Sequence, residues 1–184
     1  MTVTVTPEKF TMVNFDADAI ARITQKLLDQ IGLPDLDVQI NVDETSPLGR
    51  THVTSLDPVV IDAESGALED PKRPRGLSEP GTADVLGRAL LRVADRREPG
   101  FADAPADADL TLAQSVSWAV YANGRLERFG YPPQRQRWLY HFRNRHGFTD
   151  AADAAFDRLW AGPSFTWAEI VALSDDAIAR QPAA

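Results

Sequence analysis

Between Arg125 and Phe148 the chain concentrates guanidinium groups and flat rings. Arg125, Arg128, Arg135, Arg137, Arg143 and Arg145 stand against the single acid Glu127, interleaved with Phe129, Tyr131, Trp138, Tyr140, Phe142 and Phe148. Guanidinium forks grip carboxylates and phosphates two bonds at a time, and aromatic faces stack on bases or on apolar anchors of a partner. Three roles are open: contact with a protein or peptide, contact with nucleic acid, or an internal role. In the last, the ring stripe is core and the arginines pair with the acidic first half of the chain or with Asp150, Asp153 and Asp157. Nucleic acid is disfavoured by the net charge of -8, which repels a polyanion unless a local patch outweighs it. The candidate contact set is Arg125, Arg128, Arg135, Arg137, Trp138, His141, Arg143 and Arg145.

Other chemistries find less equipment. Only His52, His141 and His146 supply imidazoles, and a zinc or iron site wants two or three, alone or with carboxylates. His141 and His146 are about 140° apart around a helix, too far to share an ion. His52 lies in a strand candidate whose inward residue is Val53, with Asp43 and Asp57 as nearby carboxylates, so a hydrolytic site would be sought there. No G-x-S-x-G elbow, GxGxxG or GxxxxGK[ST] occurs, and Ser46, Ser55, Ser65 and Ser78 read as turn or cap residues. The absence of cysteine excludes disulfides, thiolate metal sites and a thiol nucleophile. No metal and no cofactor is expected.

The chain has 184 residues, 43% of them apolar, with four tryptophans, enough for a packed core. No apolar run is long enough to span a membrane, and no basic start precedes an apolar stretch, so a cytoplasmic protein with no membrane partner is expected. Arginine outnumbers lysine 16 to 3, a bias that GC-rich coding produces, so arginine abundance alone carries no weight. Its distribution does. Residues 1–70 carry a net -9 and residues 71–184 a net +1.

Periodicity sets the elements that must position these groups. The first dozen residues, TVTVTPEKFTMV, alternate Thr and Val, break at Pro7 and read as a short strand or a frayed terminus. Ile20, Ile23, Leu27 and Ile31 form one stripe of a helix, capped by Asn14 or Asp16 and stopped by Gly32 and Pro34. VQINVD at 38–43 alternates as a half-buried strand, and residues 51–56 and 59–63 are two more strands, separated by Asp57-Pro58. Short connections favour antiparallel neighbours. Residues 64–81 show no apolar period and read as a connector or lid, and 98–109 as a mobile acidic linker. Helices follow over 82–97, capped by Thr82, and over 112–124 or to 129. Further helices run from Pro133 to Gly147, over 149–161 and from the capping box Thr166-Trp-Ala-Glu169, with Ser174 capping a last turn.

The fold expected is α+β: an N-terminal helix with a small, three- or four-stranded, mainly antiparallel sheet, then a helical C-terminal half. Residues 1–97 form the helix-sheet-helix layer and 110–184 the helical half packed on it, as one structural domain. Helix, sheet and second helix in that order resembles the minimal zincin metallopeptidase domain. That family carries HExxH on the second helix; here the helix reads VLGRALLRVADRRE, with Arg88 and Arg92 at i and i+4 and no histidine. The resemblance covers about residues 14–97 and implies a fold, with no site residue to carry over.

The reading that follows is a non-catalytic binding module that engages a protein or peptide through the Arg/aromatic helical surface. Its alternatives are a hydrolase around His52 and a zincin-like domain that has lost its metal site. The sequence does not set the oligomeric state.

Overall fold

A computed structural model describes residues 2–132 and 134–180. The chain forms two compact units, Met1–Ala94 and Asp95–Ala184.

The first unit opens with strand β1 (Val3–Thr6), followed by helix α1 (Ala17–Ile31). Asp16 caps the helix by accepting the Asp18 amide, and Gly32 ends it in the left-handed region at φ 86°. Ile20, Leu27 and Leu28 are fully buried, Ile23 and Ile31 half-buried. The stripe therefore lies slightly to one side of the one read from spacing. Strands β2 (Val38–Asp43), β3 (Thr51–Leu56) and β4 (Val59–Glu64) complete a four-stranded sheet in the order β1-β2-β4-β3. Val38, Ile40, Val42, Val53, Val59, Ile61 and Ala63 are buried on its inner face, while Gln39, Asp43, His52 and Asp62 are exposed.

The α+β class stands, with a mixed sheet. β1 pairs with β2, and β2 with β4, in parallel; only β3 and β4 are antiparallel. The mainly antiparallel sheet expected from short connections is thus corrected, and the reason is connectivity. α1 forms a long crossover between β1 and β2, which a parallel pair requires, whereas the tight Asp57-Pro58 link forces β3 and β4 to run opposite ways. The 44–50 turn carries the chain past the β4 position to the sheet edge, and β4 returns between β2 and β3.

The stretch 64–81 is structured rather than a plain connector. It holds one helical turn, α2 (Ser65–Leu68), the two-stranded ribbon β5 (Glu69–Asp70) and β6 (Arg73–Leu77), and the start of α3 (Glu79–Asp95). Leu68 is fully buried and anchors it. A Cβ on Gly66 would lie 2.0 Å from the Pro47 carbonyl oxygen, so the turn packs backbone to backbone against the 44–50 segment. α3 begins one turn before Thr82. Ser78 Oγ accepts the Gly81 amide at 3.1 Å, and Thr82 is buried inside the helix. Ala83, Leu86, Ala89, Leu90, Leu91 and Val93 are its buried apolar side chains.

The second unit is helical: α4 (Leu112–Arg128), α5 (Arg135–His146), α6 (Asp150–Ala161) and α7 (Trp167–Ala179). Thr111 and Thr166 form capping boxes with Gln114 and Glu169. Trp118, Phe142, Phe156, Leu159 and Ile170 are fully buried, with Phe101, Tyr121, Trp160 and Trp167 in the same cluster. Residue 133, expected as the first helical position of α5, lies outside the described residues. The 98–109 segment is anchored, contrary to the mobile linker expected. Phe101 stacks on Trp118 at 5.4 Å, and Arg96, its side chain 6% exposed, bonds the Pro105 carbonyl and the Asp107 carboxylate at 2.7 Å each. Ser174 caps no separate turn; α7 runs through it without a break.

Candidate functional site

The eight residues singled out in the Arg/aromatic segment divide by where their side chains end. Arg125 turns inward. Its fork reaches both Asp95 oxygens at 2.7 and 2.6 Å and lies 4.0 Å from the Tyr121 ring, while Trp118 Nε1 donates to the same carboxylate at 2.7 Å. Arg128 donates to the Trp160 and Gly162 carbonyls at 3.0 and 2.8 Å, closing the C-terminal end of α6, where carbonyls lack helical partners. Both forks are thus engaged within their own unit, Arg125 half-buried and Arg128 still exposed.

Arg135 and Arg143 pair across to α6. Arg135 reaches Asp157 at 2.5 Å, and Arg143 makes a two-bonded fork with Asp153 at 2.7 and 2.5 Å. The hydrogen bonds of that fork hold Asp153 below its ordinary carboxylate value and Arg143 above its own. Half of the six arginines therefore meet carboxylates of their own chain, as the internal reading predicts.

The remaining four come together on one side of α5. Arg137, His141 and Arg145 are exposed and Trp138 is half-buried against the core. Two aromatics outside the expected set join them: Tyr140 is 60% and Phe148 66% exposed. Their rings lie 6.2 Å apart, and His141 links Tyr140 (6.5 Å) to Trp138 (5.5 Å). Arg137 bonds Gln134 at 3.2 Å. The result is a continuous string of rings edged by guanidinium groups. Helical periodicity carries part of this signal, because residues 137, 140, 141, 144 and 145 fall on one arc opposite the buried Phe142 and His146.

A second arrangement occupies the outer face of the sheet. Thr6, Asn41, Asp62 and His52 stand side by side, one from each strand. Gln39 donates to Asn41 and Asn41 to Asp62, both at 2.8 Å. The next row contains Asp43 and Glu64, with Arg50 bonding Glu64 through its backbone amide at 2.9 Å and its guanidinium at 3.2 Å. Thr45, through its hydroxyl and then its amide, holds Asp43 below the ordinary carboxylate range. The Arg50 amide does the same for Glu64. A cavity of about 600 Å³ opens over both rows. His52 thus faces Asp62 rather than the Asp43 or Asp57 expected as its nearest carboxylate.

The third histidine is internal. His146 is fully buried, stacked on Phe142 at 3.8 Å, with Nδ1 3.0 Å from the Phe142 carbonyl. Its Nε2 lies 2.8 Å from Ser174 Oγ and 3.2 Å from Ser117 Oγ. No sequence motif announces this meeting of three helices.

No protein-family model, curated protein or solved structure matches the chain. On α3, the HExxH positions of the zincin resemblance hold Arg88 and Arg92, and Arg88 pairs with Asp84 one turn earlier. No helix among the described residues is long and apolar enough to cross a membrane.

Proposed function

We propose that the chain is a binding module whose contact surface is the exposed face of α5, and that its partner is a protein segment carrying acidic and apolar side chains. The single observation behind this reading is the joint exposure of Tyr140 and Phe148 beside Arg137 and Arg145. Tyr140 on α5 and Phe148 in the link to α6 leave two large rings in water, and grouped exposed rings mark contact surfaces. Tyr, Trp, Phe and Arg are also the residues enriched at the centres of protein interfaces, where they supply most of the binding energy.

Charge selects the partner. α5 contains four arginines and no acid, so a complementary segment brings carboxylates. Nucleic acid fits less well. Asp153 and Asp157 already occupy Arg143 and Arg135 and place negative charge beside the face.

The test is selection of a random 12-residue peptide display library on the full chain. The reading expects enrichment of Asp/Glu with an aromatic or leucine anchor. It further expects affinity for the best peptide to fall at least tenfold in Tyr140→Ala/Phe148→Ala and in Arg137→Glu/Arg145→Glu, but not in Arg180→Glu. Enrichment without acidic character, or binding indifferent to the first two variants, overturns it.

A further inference from the structure

We propose that the α5 face docks on a second copy of this chain, against the acidic segment 103–112 that leads into α4. The inference rests on the reading of α5 as a contact surface and names its partner.

The charges of the helical unit come first. Arg96, Arg125, Arg135 and Arg143 each meet a carboxylate of their own chain. Among the described residues, Arg137 and Arg145 meet none, and the exposed Asp103 and Asp109 meet no cation. All four belong to the same unit. From Glu98 to Gly124 the chain holds no Lys, Arg or His, whereas α5 holds four arginines and no acid. Both surfaces are exposed in the single chain, so neither covers the other. Opposite potentials on two surfaces of one molecule draw its copies together.

Apolar groups accompany both sets of charges. Leu112 is 63% exposed at the start of α4, three residues after Asp109. Phe148, 66% exposed, follows Arg145 by the same interval, with the Tyr140 ring 6.2 Å away. Asp109 on Arg145 therefore sets Leu112 over the exposed rings, where apolar surface of both leaves water. The segment is also ordered before contact. Phe101 stacks on Trp118, and Arg96 holds the Pro105 carbonyl and the Asp107 carboxylate. Thr111 fixes the far end through its capping box with Gln114. A ligand already held in shape loses little freedom on docking.

Sedimentation of the full chain over a hundredfold range of concentration tests the contact. The average mass should rise with concentration and fall again with added salt, which screens exposed charges. Arg137→Glu/Arg145→Glu and Asp103→Arg/Asp109→Arg should each weaken self-association at least tenfold. Glu8→Arg/Asp35→Arg, the same change in net charge made in the first unit, should not. Mixing the two weakened variants should restore association, because each supplies the charge the other now needs. A chain that stays monomeric, equal weakening by the acidic-segment variant and its control, or folded variants that stay apart when mixed overturns the inference. If the chain stays monomeric while selected peptides still need Tyr140 and Phe148, the α5 reading stands and the second copy alone falls.

Discussion

The hydroxyl oxygen of Ser174 lies 2.8 Å from Nε2 of His146, and both residues are fully buried. With Nδ1–H donating to the Phe142 carbonyl, Nε2 is left as an acceptor, so the Ser174 hydroxyl donates to it and Ser117 competes for the same lone pair. A serine paired with a histidine suggests a nucleophile and its base. Here the pair is sealed in the core, and its work is to join α4, α5 and α7.

That burial makes stability depend on pH. Desolvation pushes the His146 pKa below its ordinary 6.5, opposed first by the hydrogen bond to the Phe142 carbonyl and then by the charge of Asp175. The unfolded chain then binds the proton more readily. The stabilisation is complete above about pH 6.5 and is lost as pH falls from there toward the lowered folded value, at up to ~1.4 kcal/mol per pH unit. Urea midpoints should therefore be lower at pH 5.5 than at 7.5 in the native chain. His146→Gln should flatten the difference. Equal midpoints in the native chain would remove this account.

Asp95 carries two partners in the second unit, Arg125 and the Trp118 indole, with side-chain exposures of 15% for Arg125 and 6% for Asp95. Asp95→Asn leaves a buried guanidinium uncompensated, which costs about 3–5 kcal/mol. Chemical denaturation should show a loss of this order. A loss under 1 kcal/mol would mean that Arg125 finds water instead.

The exposed cations should behave differently. Arg137→Glu with Arg145→Glu should change stability by no more than about 0.5 kcal/mol, as surface substitutions do. Arg135→Ala removes an ion pair whose side chains are 42% and 63% exposed, worth about 0–1 kcal/mol. Thermal denaturation of these variants beside Arg125→Ala separates surface from internal arginines. A large loss in the first variant would count against a free α5 face.

Gly124 sits in mid-helix, where alanine ordinarily gains about 1 kcal/mol. A Cβ there would lie 2.0 Å from the Trp160 carbonyl oxygen on α6. Gly124→Ala should therefore destabilise, by about 1–3 kcal/mol as the two helices are forced apart. Calorimetry should show a lowered Tm. A raised Tm would show that the helices do not pack this closely.

Local patterning carried the elements. Asp16 and Gly32, the Thr166 capping box and the alternation of VQINVD act within a few residues. Helix limits and the inner face of β2 are therefore legible in the chain itself. The Arg/aromatic segment is legible as a composition, and Asp153 and Asp157 are among the partners its spacing offers; that Arg125 turns inward is not legible, because Asp95 reaches it from the end of α3, thirty residues earlier. The sheet face shows most clearly what needed the tertiary structure. Counting back from the Asp57-Pro58 link would set His52 opposite Ala63. A bulge between Val53 and Ser55 shifts the register by one, so Val53 meets Ile61 in the core and His52 meets Asp62 outside it. One residue of slippage moves every side chain to the other face. The buried face across the sheet, rather than the strand's own residues, chose which register won.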